Sequence, residues 1–252
     1  MRRGFLTLMR HENHRFMRLA LQTIFPPMVT TALYIAVFGY SLGAHIHTVH
    51  GVAYTAFIVP GLIMMAVVNN SYANSSSSMF MSKMEKSIEN FLILPVTPAE
   101  LVGAFIIGGM LRGVTVGVVV TGVAWLMVGY VMDSFFWTGV LMLLVCALFS
   151  AFGIINAQLA RNWDQLSVMT NFVLTPLIFL GGVFYSVDML PGWARLLSHL
   201  NPLFYIINAF RHSILGVTDV AFALSFSVIA VATAGMLVLS LWLFRSGKGL
   251  LV

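Results

Sequence analysis

The chain has very little charge. Asp, Glu, Lys and Arg make up 8% of its 252 residues, against roughly 25% in ordinary soluble domains. That scarcity excludes a large soluble domain. A single cysteine, Cys146, sits inside an apolar run, which excludes a disulfide framework and leaves packing as its role. The nearest approach to a nucleotide-binding loop, Ser246-Gly247-Lys248-Gly249, lacks the preceding glycine and the following Ser or Thr. Neither H-E-x-x-H nor G-x-S-x-G occurs, and no paired carboxylates lie within an apolar block. Asp133, Asp164, Asp188 and Asp219 all fall at block ends, so the buried acids of proton-driven carriers are missing too. Inverted internal repeats are not evident. Catalysis and ion coupling are therefore both without an obvious centre.

What is present is apolar: 60% hydrophobic residues and a mean hydropathy of +0.95. At about 20 residues per bilayer crossing, this length leaves room for about six spans. The net charge of +5 does not point to nucleic acid, because the basic residues gather at block ends and not on one face. No cleavable leader is expected, since the basic N-terminus runs into a polar helix and not an apolar core.

Taken in order, residues 1–25 read as an amphipathic helix along the inner membrane surface. Arg3, Arg10, His14 and Arg18 share one face, and Phe5, Met9, Phe16 and Leu19 the other. Glu12 projects into the apolar face, where it either snorkels or caps, or forms a salt bridge inside an assembly. Pro26-Pro27 is expected to break this helix. Spans are expected at 27–43, 52–78, 98–130, 135–158, 165–185 and 220–244, with Pro176 kinking the fifth. His45, His47 and His50 lie in the first loop without a cysteine or carboxylate beside them in sequence, and solvated histidines are favoured over a metal site.

Several polar groups fall inside these spans. Asn69, Asn70 and Asn74 make one side of the second span polar, and either helix–helix hydrogen bonding or a transport path accounts for them. Arg112 is placed near the inner headgroups. Gly109, Gly113 and Gly117 offer a smooth face for helix packing.

Between the second and third spans, 79–97, lies a charged island that cannot sit in lipid. It holds Lys83, Glu85, Lys86 and Glu89, with Met84, Ile88 and Phe91 at helical spacing until Pro95. Thr97-Pro98-Ala99-Glu100 then provides a capping box for the next helix. The island reads as a docking element for a soluble partner. Between the fifth and sixth spans, 187–215 reads as two short amphipathic helices carrying Trp193, Arg195, Tyr205 and Arg211, with Asn201-Pro202 opening the second. Basic residues concentrate on one side, and the positive-inside rule puts both termini and the island in the cytoplasm.

This order resembles the transmembrane subunit of ABC-2 type transporters along essentially the whole chain. The stretches that carry the likeness are H-R-F-M-R at 14–18, F-I-V-P-G-L-I-M-M at 57–65 and L-T-P-L-I-F-L-G-G-V-F-Y-S at 174–186. L-S-H-L-N-P-L-F-Y at 197–205 and F-R-H-S-I-L-G at 210–216 complete the set.

The resemblance implies an all-α polytopic protein of a bacterial inner membrane. It would have an N-terminal connecting helix (Arg10, Glu12, His14, Arg18), six transmembrane helices, a coupling helix and an outer re-entrant hairpin. It implies a homodimer joined by two copies of a cytoplasmic ATPase that dock on Lys83, Glu85, Lys86 and Glu89 and hold the ATP and Mg2+. No cofactor or metal is expected in this chain. Asn69, Asn70, Asn74 and Arg112 stand as path or packing residues, and Trp193, Asn201, Tyr205 and Arg211 as the outer gate. The expected activity is export of an amphipathic, lipid-linked or drug-like substrate. A channel or carrier independent of ATP, or a lipid-acting intramembrane enzyme built on Asn69, Asn70, Asn74 and Arg112, are the rivals.

Overall fold

A computed structural model of the chain describes residues 20–85, 97–247 and 249. Arg10, Glu12, His14 and Arg18, with Lys86 and Glu89, lie outside the described residues. The described part is almost entirely helical, and five of its helices are long and apolar enough to cross a membrane. The chain is an all-α polytopic membrane protein.

Helix α1, Ala20–Tyr34, continues without a break into a π-helical segment, Ile35–Leu42. Pro26 and Pro27 therefore do not stop the helix, contrary to expectation. Each proline removes one backbone bond and crowds the carbonyl four residues earlier. In a membrane the other backbone bonds face no competition from water, and neighbouring helices can supply the freed groups, so such prolines are tolerated.

A two-residue hairpin follows, β1 (Thr48–Val49) against β2 (Val52–Ala53), which the polar-loop reading missed. Its turn places His50 and Gly51 at φ 50° and 78°. Two positive φ values suit the right-handed twist of a tight hairpin.

Helix α2, Tyr54–Met84, runs six residues beyond the expected 52–78 span. It takes in Met79, Phe80 and Lys83, which the sequence reading had assigned to the cytoplasmic segment. All three are buried, so packing extends the helix where composition had ended it. Helix α3, Pro98–Val128, starts at the expected capping box: Thr97 N donates to Glu100 Oε2 at 2.8 Å and Glu100 N to Thr97 Oγ1 at 3.3 Å. Left-handed Gly129 ends it. Helix α4 covers Phe135–Leu159.

The fifth expected span, 165–185, is helical only to Leu180 and comes in three joined pieces. These are α5 (Trp163–Val168), a π segment (Met169–Leu174) and α6 (Thr175–Leu180). It is not among the five long apolar helices. Pro176 has no N–H to give, and Thr175 Oγ1 donates to Thr170 O at 3.0 Å, so the backbone register slips here. A 3-10 turn (Val187–Met189), α7 (Gly192–Leu200), α8 (Pro202–Leu215) and α9 (Phe222–Arg245) complete the chain.

The core lies where α2, α3 and α4 meet. A methyl at Gly109 would collide with the hydroxyls of Ser75 and Ser150, and one at Gly113 with Ser71 Oγ. At Gly153 a Cβ would come within 2.7 Å of Tyr72 O. Small residues let the three backbones close up, and dispersion then acts over the whole contact. By contrast α1 turns Leu21, Phe25, Leu33 and Val37 outward, and α9 exposes Val231 and Val238.

Candidate functional site: a membrane cleft and two polar nodes

A cleft of about 210 Å³ opens between α1 and α2. Pro26, Thr30 and Tyr34 form one wall, and Met65, Asn69 and Asn70 the other. Asn69 and Asn70 are near the midpoint of α2. Each uses its amide N–H on its own helix, to Met65 O and Ala66 O at 2.9 Å. That leaves the amide oxygens as acceptors, and Arg112 Nε donates to Asn70 Oδ1 at 3.4 Å. Arg112 thus joins the cleft-wall network from α3. Asn74 is buried and does not line the cleft. Of the four residues expected together, the fold gathers three.

At the end where α2 stops and α3 starts, Lys83 is buried. Its Nζ donates to Ala160 O at 2.7 Å and Gln158 O at 3.1 Å. The last carbonyls of a helix have no partners within it and carry its negative pole. Lys83 therefore caps α4 and does not face a partner, which removes it from the expected docking set. The reason is reach: the four-carbon stem runs along the α2–α4 contact and delivers the ammonium to the helix end. Glu85, at the C-cap of α2, is exposed.

The opposite end gathers the hairpin, the 3-10 turn and the segment between α8 and α9. Arg211 was expected on an amphipathic interfacial surface, and the structure instead buries it to 1% exposure. Its guanidinium stands 3.9 Å from the centre of the Phe57 ring, donates to Gly182 O at 2.6 Å, and reaches Asp219 Oδ2 at 3.6 Å. Asp219 had been placed at a span end, and here it is a buried counter-ion. Its Oδ1 accepts from Ser186 Oγ at 2.8 Å and lies 3.0 Å from His50 Nε2. Asn208, fully buried, donates to Val220 O and Ser225 Oγ, both at 3.0 Å, and accepts from Asp219 N at 2.7 Å.

The remaining expected gate residues separate in role. Asn201 caps α8 through Leu203 N and donates to Leu177 O at 2.6 Å. Tyr205 OH donates to His199 O at 2.9 Å, whereas Trp193 is exposed on α7. Nearby, burial pushes the Tyr130 hydroxyl up to about 12, so it remains a neutral donor, to Thr121 O at 3.2 Å.

The first-loop histidines also separate. His45 Nδ1 meets Ser41 O at 3.2 Å, while His50 joins Asp188 and Asp219 in a group whose ligand atoms lie within 4.8 Å of one another. Carboxylates do stand beside a loop histidine after all, brought from 138 and 169 residues away in sequence (188 − 50 and 219 − 50). Both carboxylates already face guanidiniums, Asp219 with Arg211 and Asp188 with Arg195 at 3.8 Å. Two fixed cations beside the ligands oppose a dication, and the cluster acts as a clasp between the hairpin and the α8–α9 segment. Sequence reading missed Asp219, Asn208 and Ser186. The available signal was an arginine and an aspartate of opposite charge on either side of the helix stop at Gly216.

Comparison with known proteins places this geometry in context. The sequence pattern of the ABC-2 type transporter family matches residues 3–215. The chain is 41% identical over 239 residues to the inner membrane transport permease YadH of Escherichia coli (strain K12), covering 95% of this chain and 93% of that protein. Nodulation protein J of Sinorhizobium fredii (strain NBRC 101917 / NGR234) is 27% identical over 199 residues, covering 77% and 74%. Its counterpart from Rhizobium leguminosarum bv. viciae is 24% identical over 225 residues, covering 84% and 83%.

Proposed function

The chain belongs to the ABC-2 type transporter family, and from that membership we propose that it is the membrane-spanning subunit of an ATP-driven exporter. Two copies pair in a bacterial inner membrane, with both termini in the cytoplasm, and two copies of a separate ATPase bind below. The segmented Trp163–Leu180 helix serves as the fifth of six crossings, and Val187–Leu215 as a re-entrant gate on the outer side. ATP and Mg2+ sit on the partner. The substrate is amphipathic, lipid-linked or drug-like, and it leaves from the cytoplasm or the inner leaflet. This chain itself carries out no chemistry.

The observation that supports this reading is the cleft. Amide oxygens and hydroxyls in the middle of a membrane helix must face protein or water. The cleft opens beside the apolar stripe of α1, where one copy leaves it uncovered, so a second copy or a water-filled path must complete it. Docking then falls on Glu85 together with Lys86 and Glu89, and the connecting helix on Arg10, Glu12, His14 and Arg18.

Co-expression with a separate ABC-type ATPase from the same organism, followed by purification and ATP-hydrolysis assay, tests the reading. A stable complex with nucleotide-dependent hydrolysis is the expected result. Transport that persists in vesicles lacking both ATP and partner would overturn it.

A further inference from the structure

The two π-helical segments lie outside the glycine-packed contact of α2, α3 and α4. Ile35–Leu42 ends the first span, and Met169–Leu174 interrupts the Trp163–Leu180 helix. A π turn carries one more residue than the α turn it replaces, is rare, and is found frequently at functional sites. Met169–Leu174 has a local cause in Pro176 and the Thr175 hydroxyl, which donates to Thr170 O. In the first span Gly39 packs against Thr55, and Tyr40 OH donates to Met127 O at 3.3 Å, anchoring the segment to the end of α3.

The α2–α3–α4 core beside these spans cannot follow a change of register. Any rotation of α3 against α2 or α4 would drive side chains into the Gly109 and Gly113 contacts, and Gly153 is closed against the Tyr72 carbonyl. The site already described adds a second observation. Thr30, Thr31 and Tyr34 form the α1 wall of the cleft, and the π segment begins at the next residue, Ile35. Removing one residue from a π turn rotates the helix on one side of it by about 100° relative to the other. Such a step would carry the Thr30–Tyr34 wall away from Asn69 and Asn70.

We propose that the two π segments are register hinges, through which the first span and the Trp163–Leu180 helix turn beside a fixed α2–α3–α4 core, the first span re-forming the cleft wall. The hinge requires no proton, metal or covalent step. It adds to the exporter reading a statement of which helices move, and only the nucleotide arm of its test rests on that reading.

Hydrogen–deuterium exchange on the full chain in lipid nanodiscs is the first measurement. Backbone amides of 35–42 and 169–174 are expected to exchange at least about tenfold faster than those of 105–117 and 141–155. Equal protection overturns the proposal. Deleting one exposed residue, Val37 from the first segment or Phe172 from the second, should convert that segment to α-helix and slow its exchange about tenfold, with melting temperature held. Exchange that stays fast in a folded deletion variant also overturns it. In complex with the ATPase, trapped with ATP and orthovanadate, both segments should change exchange by about fivefold or more, the core by less than about twofold. A response that spares both segments counts against the hinges, whereas a failure of the ATPase to bind counts against the exporter reading alone.

Discussion

The ammonium of Lys83, at the end of α2, donates to the main-chain oxygen of Ala160, just past the end of α4, at 2.7 Å. The two residues are 77 apart in sequence, and their bond ties the last turn of α2 to the end of α4. A lysine expected as an exposed docking contact is instead a buried tie between two helices.

Lys83→Met should therefore destabilise the isolated chain before any partner is considered. Methionine keeps the stem and loses the charged donor, and bonds to charged groups contribute about 1.5–3 kcal/mol. Thermal melting in detergent should fall by several degrees. A variant that melts like the parent would show that the α4 carbonyls find water instead.

Glu85→Lys with Glu89→Lys should leave melting unchanged and weaken recovery of the ATPase in pull-down experiments. Glu85 is exposed, and an exposed charge contributes little to the fold and more to choosing a partner. Full recovery of the ATPase with both charges reversed would move the docking surface elsewhere.

Arg211→Leu or Asp219→Asn alone should cost about 3–5 kcal/mol, because each leaves the other charge buried without its counter-ion. Pairing Arg211→Leu with Asp219→Asn should recover part of that loss. Unfolding measurements on the two singles and the double form a cycle, and simple additivity would show that the pair does not interact.

Gly113→Leu should disrupt the bundle, since even a methyl there collides with Ser71. Overpacking of this kind costs about 1–3 kcal/mol or more. Gly122→Leu is the control, because a side chain there meets open space. Monodispersity on gel filtration should fall for the first and hold for the second.

Zinc should not raise the melting temperature, and a chelator should not lower it. The His50, Asp188 and Asp219 group has the ligand types, but Arg195 and Arg211 already face its carboxylates. A zinc-dependent stabilisation lost in His50→Ala would reverse that assignment.

Much of the architecture was legible because its causes are local. The Thr97 capping box, the Asn201 cap with Pro202 behind it and the helix stop at Gly216 each depend on residues within one turn. The membrane class follows from composition alone, since a bilayer taxes every charge and this chain has few. The double proline misled for the opposite reason. Its local cost is real, yet surrounding helices and the absence of water decide whether it ends a helix.

The sequence by itself determined the class, the helix caps and the charged island, because these depend on side chains acting on their own backbone or on solvent. Only the tertiary structure decided what the isolated charges do. Lys83 became a helix cap, Arg211 a buried ion, Asp219 its partner and His50 the exposed end of their clasp. The energy of a charge out of water is set by whichever group the fold brings within about 4 Å, and its distance along the chain says nothing about that.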